Sequence, residues 1–314
     1  MSLKTSDVFG VKSTLIKSYI ERDTVDEKFK SAIQDGNEVI VYGSSKQGKT
    51  SLILKHLDEE QYVKVECSPQ TQPIDIYKSI LRQLNIGYVE SETSETASEH
   101  GGKIGAGFKI KIPFIGYTNA SAEVSDKNSN KLNTTTMFVE YNLALAQDVS
   151  ELLKKSGADK FIVIENFHYL ELSVQERLAY DLRVFQDHHL IFIILGIWRE
   201  ANRLIQFNGD LLDRITEVPV EPWEALDFQR VIEKGEVLLN VDFSNVRDQL
   251  ICDSFDSVGV IQEICKHCCI IAGVTRTSEE KVTITQDILD QALERKAQDY
   301  GVRHIRNFEA FVDI

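Results

Sequence analysis

Glu38-Val39-Ile40-Val41-Tyr42-Gly43-Ser44-Ser45-Lys46-Gln47-Gly48-Lys49-Thr50-Ser51 is the stretch that decides the fold. Five strand-forming residues run into a polar turn bounded by glycines, and Leu52, Ile53 and Leu57 then continue at helical spacing. The turn fits Gly-x-x-x-x-Gly-Lys-Thr from Gly43 to Thr50, with a strand before it and a helix after. Glycines let such a backbone wrap an anion, so that successive N–H groups converge and the helix N-terminus adds partial positive charge. In this reading Gly43 to Ser51 cradle phosphates. Lys49 supplies a cation to the outer ones, and the Thr50 hydroxyl ligates Mg²⁺.

Outward from that turn, the chain alternates strand and helix signals. Tyr62–Cys67 reads as a strand and Ile74–Leu84 as a helix. Phe161–Ile164 and Leu190–Leu195 are apolar enough to be strands buried on both faces, with a helix over Ser173–Gln186 between them. Thr216–Val220 is the last strand. The pattern predicts an α/β fold, a three-layer parallel-sheet core. Before it, Val8, Val11, Leu15, Ile16, Tyr19, Val25, Phe29 and Ile33 predict an interrupted helix over 8–35. Residues 89–136 break the alternation and read as an insertion around a hairpin, with Phe108, Ile110 and Ile112 alternating with lysines. A helix is expected over Met137–Lys155, and short helices over 224–300. The resulting domains are a helical segment 1–35, a core 36–221, a helical lid 222–300 and a tail 301–314.

The 314 residues contain 49 acidic and 35 basic side chains, a formal charge of −14. That balance repels phosphate backbones at long range and argues against a surface built for nucleic acid. No run of about 18 uncharged apolar residues suggests a bilayer span, and no secretory signal opens the chain, so a cytoplasmic setting is expected. Cys265, His267, Cys268 and Cys269 lie close enough to suggest zinc, yet no second Cys-x-x-Cys pair accompanies them. Buried thiols on an apolar helix are the plainer reading.

A bound Mg²⁺ needs a second anchor. Glu165 follows the apolar Phe161–Ile164 and places a carboxylate at a strand's C-terminal end. Together these motifs resemble the AAA+ ATPases, in particular their origin-recognition-like and STAND (signal-transduction) branch. The resemblance implies a P-loop NTPase core with a C-terminal all-helical lid, binding ATP and Mg²⁺. The run Tyr19 to Arg22, with Asp26 and Phe29, is similar to the segment those proteins fold over adenine, which puts Arg22 among the nucleotide-binding residues. Asn208 to Arg214 resembles the box that holds an arginine finger, so Arg214 would act on a neighbouring subunit's nucleotide, or else form a structural salt bridge. Ser257-Val258-Gly259-Val260 resembles the start of the lid helix, without the usual sensor arginine. Arg199, after the Leu190–Leu195 strand, would serve as the first sensor or be a surface charge.

Active members of the family end the metal-binding strand in Asp-Glu, where this chain has Glu165-Asn166. Asn166 can hold a water but cannot take its proton. Hydrolysis is therefore expected to be slow unless His168 or Glu66 substitutes. The function this implies is a nucleotide-controlled switch that assembles into homo-oligomers on binding ATP, resets on slow hydrolysis to ADP, and acts on a protein effector in signalling or defence. The alternatives are a DNA-associated AAA+ ATPase of the replication-initiation or transposition type, and a pseudo-ATPase scaffold.

Overall fold

A computed structural model describes residues 2–90, 109–113, 138–157 and 159–298. In chain order these form α1 (Thr5–Val8), α2 (Lys28–Gln34), β1 (Glu38–Tyr42), α3 (Lys49–His56), β2 (Tyr62–Glu66) and α4 (Pro73–Gln83). Next come β3 (Val89–Glu90), β4 (Lys109–Pro113), β5 (Phe138–Asn142), α5 (Ala146–Lys155), β6 (Phe161–Glu165), α6 (Leu172–Asp187), β7 (Phe192–Gly196) and β8 (Ile215–Pro219). The remainder holds α7 (Ala225–Leu239), β9 (Val241–Asp242), α8 (Arg247–Cys252), α9 (Val258–Ile271), β10 (Val282–Thr283) and a helix α10 over 286–298.

The expected parallel sheet is present, in the order β2-β6-β7-β1-β8. All five residues of β1 and of β7 are buried, which is why these strands read as continuous apolar runs. Val41 lies opposite Leu195 on one side and Val218 on the other. β2 and β6 pair with Glu66 opposite Glu165. Contacts divide the chain into two units, one of Met1–Glu59, Ile193–Ala201 and Ile215 onward, the other of Glu60–Phe192 and Asn202–Arg214.

In the first unit, the helices after β8 bury Phe228, Ile232, Phe243, Leu250, Ile261 and Ile264 in one core. Cys265, Cys268 and Cys269 are free thiols within it, and burial raises the pKa of each. No group of metal-ligating side chains forms among the described residues. This part is not purely helical: β9 and β10 pair in parallel. The helix expected over 8–35 is also not what forms. Only α1 and α2 are α-helical, α2 being entered through a π turn at Asp23–Glu27, and 9–22 is irregular. Gly10, at φ +127°, breaks the repeat, and Val8, Phe9 and Ile20 each find separate places in the helical core. Of the residues whose spacing suggested one helix, Val8 is buried and Val11 is exposed, so that spacing marks no continuous face.

In the second unit, the helix expected over Met137–Lys155 is a strand, a turn and a helix. Phe138, Val139 and Tyr141 are strand-forming residues, but four positions are too few to set a period against the helical pattern downstream. The Asn142 side chain accepts from Ala144 N at 3.0 Å, and Asn142 N donates to Asp148 Oδ2, closing the turn into α5. The strand expected around Ile110 is β4, which pairs antiparallel with β3 and β5. The rest of the expected insertion, and the 301–314 tail, lie outside the described residues. No described helix is long and apolar enough to cross a membrane.

Candidate functional site

β1 delivers Gly43 at φ +147°, and Gly48, at φ +93°, caps α3. Both angles disfavour side chains, which is the local reason for the two glycines. A Cβ on Gly43 would lie 2.7 Å from Val220 Cγ2 and 3.0 Å from Glu221 Oε2, so the loop passes tightly against the end of β8. Lys49 Nζ donates to the carbonyls of Gly43 and Ser44 at 2.8 and 2.6 Å, folding the ammonium back into its own loop. Burial pulls its pKa down to about 8, against the opposing pull of Glu221.

A cavity of about 150 Å³ opens beside the loop, lined in part by Tyr19, Arg22, Lys49, Trp223, Val258 and Gly259. The irregular N-terminal segment forms one wall through a buried polar knot. Asp26 accepts from Tyr19 Oη at 2.6 Å and Arg22 N at 2.7 Å, and bonds His56 Nε2 at 2.7 Å. Burial and Asp26 hold the Tyr19 phenol far above its ordinary pKa. Arg22 lies 3.7 Å over the Trp223 ring and donates to the carbonyls of Val220 and Pro222. Trp223 Nε1 is buried with no partner among the described residues, a donor left over for something in the cavity.

Helix α9 meets the loop directly. Gln47 Oε1 accepts from Val258 N at 3.3 Å, taking up an N–H at the start of α9 that Ser257 does not cap. A Cβ on Gly259 would stand 2.6 Å from Lys46 Cβ and 2.9 Å from Lys46 O, so only glycine permits this approach.

Of the expected site residues, Gly43 to Ser51, Arg22 and Arg199 are brought together, Arg199 Nε donating to Ser44 Oγ at 3.2 Å. Gly196 is bare because Trp198 folds over it and stacks on Tyr42. Thr50 stands exposed in the first turn of α3. The remaining candidates belong to the second unit. Glu165 ends β6, 3.6 Å from Lys64 Nζ. Asn166 adopts a left-handed backbone, φ 59°, and starts a short 3-10 turn. Asparagine is one of the few side chains at ease there, a structural reason for the departure from Asp-Glu. Arg214 Nη1 pairs with Asp187 Oδ1 at 2.6 Å and with Gln186, within its own chain. Sequence reasoning missed Glu221, Trp223 and the bridging by Gln47. The first two follow β8 in a run without motif spacing.

A family model described as an AAA domain matches residues 33–205, and the chain belongs to that family. Its fold is shared by the Aeropyrum pernix Orc1 protein in complex with DNA, at 11% identity over 98% of this chain and 72% of that one, TM-score 0.56. A Walker-type ATPase of Pyrococcus abyssi is similar at 14% identity, 97% and 79% coverage and TM-score 0.55. Cdc6p of Pyrobaculum aerophilum is similar at 10% identity, 91% and 72% coverage and TM-score 0.53. No curated protein matches the chain.

The residues present fit a nucleoside polyphosphate with its metal: a loop amide already holding an anionic oxygen of Glu221, a desolvated ammonium, an exposed hydroxyl, and an orphaned indole donor beside the cavity. A pH dependence follows. Lys49 is charged below about pH 8 and loses its proton above it, so affinity for a polyphosphate falls about tenfold per pH unit beyond that point. Titrations between pH 7 and 9.5 will check it, a flat profile contradicting it. The nucleotide-free fold has the opposite trend from this group: a lysine depressed below 10.5 penalises folding at low pH, and the penalty fades as pH rises from about 8 toward 10.5.

Proposed function

We propose that the chain is an ATP-binding AAA+ switch that hydrolyses slowly. The observation that supports it best is the shared seam of loop and lid, where Gln47 and Lys46 touch the first residues of α9. A ligand that reorganises Gly43–Thr50 must then shift the lid helix or hold it. Lys49, Thr50 and the loop amides would hold the phosphates, with Glu165 as the second acid toward Mg²⁺. When bound, Mg²⁺ neutralises phosphate charge. Arg22 and Trp223 would frame the base. Asn166 orients water without accepting its proton, which keeps turnover low. In a homo-oligomer, Arg214 would leave Asp187 for a neighbour's nucleotide, tying assembly to nucleotide state. A protein effector reads the lid.

The second reading, a DNA-associated ATPase, is favoured by the DNA in the Orc1 structure and opposed by the charge of −14. Turnover and particle size separate the readings. The switch predicts slow basal turnover, indifferent to DNA, and a larger particle with ATP–Mg²⁺. DNA-stimulated turnover would favour the second reading, and undetectable turnover a scaffold. Asn166→Asp, which tolerates the left-handed backbone and restores a carboxylate, is expected to raise turnover roughly tenfold to a hundredfold. An unchanged rate would remove Asn166 as the cause of slow hydrolysis.

A further inference from the structure

We propose that Glu221 sets the affinity of the phosphate cradle by occupying it as an internal anion that a polyphosphate must evict. This rests on the reading of Gly43–Thr50 as the phosphate site and deepens it. Ser44 N donates to Glu221 Oε2 at 2.5 Å, so one amide of the cradle is already spent on a carboxylate. The loop is shaped around that oxygen, since any side chain on Gly43 would crowd it. The backbone on either side of Glu221 is braced: Arg22 Nη2 holds Val220 O at 3.0 Å and Nη1 holds Pro222 O at 3.4 Å. Arg22 is itself 8% exposed and stacked on Trp223. The carboxylate is therefore presented by a fixed segment and can leave only by turning its own side chain.

A single N–H cannot serve a carboxylate and a phosphate oxygen equally well, and two anions a few ångströms apart in a half-buried site repel. The nearby cations, Lys49 and Arg199, are the ones a phosphate chain would use. Glu221 favours the charged form of Lys49, and a bound phosphate takes over that role. The penalty grows with the charge of the incoming chain, so Glu221 discriminates against the triphosphate more than the diphosphate.

Calorimetric titration of the full chain with ADP–Mg²⁺, ATP–Mg²⁺ and pyrophosphate–Mg²⁺, all in the same metal state, tests this. Glu221→Gln keeps an acceptor for Ser44 N and removes the charge. It is expected to bind ATP–Mg²⁺ about tenfold tighter, about 1.4 kcal/mol, with a smaller gain for ADP and a clear gain for pyrophosphate, which has no base. Glu221→Asp withdraws the carboxylate but keeps its charge, and should gain less. Equal or weaker binding by a Glu221→Gln protein that melts like the wild type overturns the proposal, and a Gln variant that fails to fold leaves the Asp variant to decide it in the same way. Lys49→Ala separates the two levels: if it binds as wild type does, the phosphate reading itself is wrong.

Discussion

Lys49→Ala is expected to weaken ATP–Mg²⁺ and ADP binding by at least about a hundredfold, roughly 2.7 kcal/mol. The loop amides remain, but the ammonium folded between the Gly43 and Ser44 carbonyls is gone, and charge-assisted bonds to phosphate are the strong ones. The nucleotide-free protein should melt no lower than the wild type. Burial disfavours this ammonium, so removing it relieves the unliganded fold. Binding lost with apo stability kept is the signature; calorimetry paired with thermal melts reads both. Wild-type affinity would exclude the loop as the phosphate site.

Gly235→Ala is expected to cost roughly 3–5 kcal/mol, a large part of an ordinary domain's stability. The added Cβ would sit 1.9 Å from Phe9 Cζ, and Phe9 is fully buried, so a rigid ring must give way to a methyl on the middle of α7. Losing Phe9 from its place empties part of the core that joins the N-terminal segment to the helices after β8. Chemical denaturation against Gly209→Ala gives the comparison, because a Cβ at Gly209 meets nothing within 4 Å. Equal midpoints for the two variants would show that Phe9 does not pack as described.

The central strands β1, β6 and β7 and the anion loop could be read from the chain because each carries a local signature: runs buried on both faces, and glycines where the backbone turns left-handed. The same local logic failed where partners are distant in sequence. Val8, Val11 and Tyr19 recur at helical spacing, yet Val8 takes its place in a core built with α7 and α9, more than 200 residues away. Phe138–Tyr141 carried a strand pattern too short to outweigh the helix that follows it. At the site, Lys49 was legible from motif spacing, whereas Glu221 was not: an acid is the least expected neighbour for a phosphate loop, and only the return of β8 beside β1 brings it there. Asn166 was read as a chemical departure, and its backbone angle adds a conformational cause that no residue pattern displays.

The bond from Val258 N to Gln47 carries a thermodynamic obligation. Two binding events that act on one shared hinge must help or hinder each other by the same factor, whichever comes first. If nucleotide tightens the grip of an effector on α9 tenfold, that effector tightens the grip on nucleotide tenfold. Reciprocity of this kind lets a partner govern residence of the nucleotide without ever touching the nucleotide.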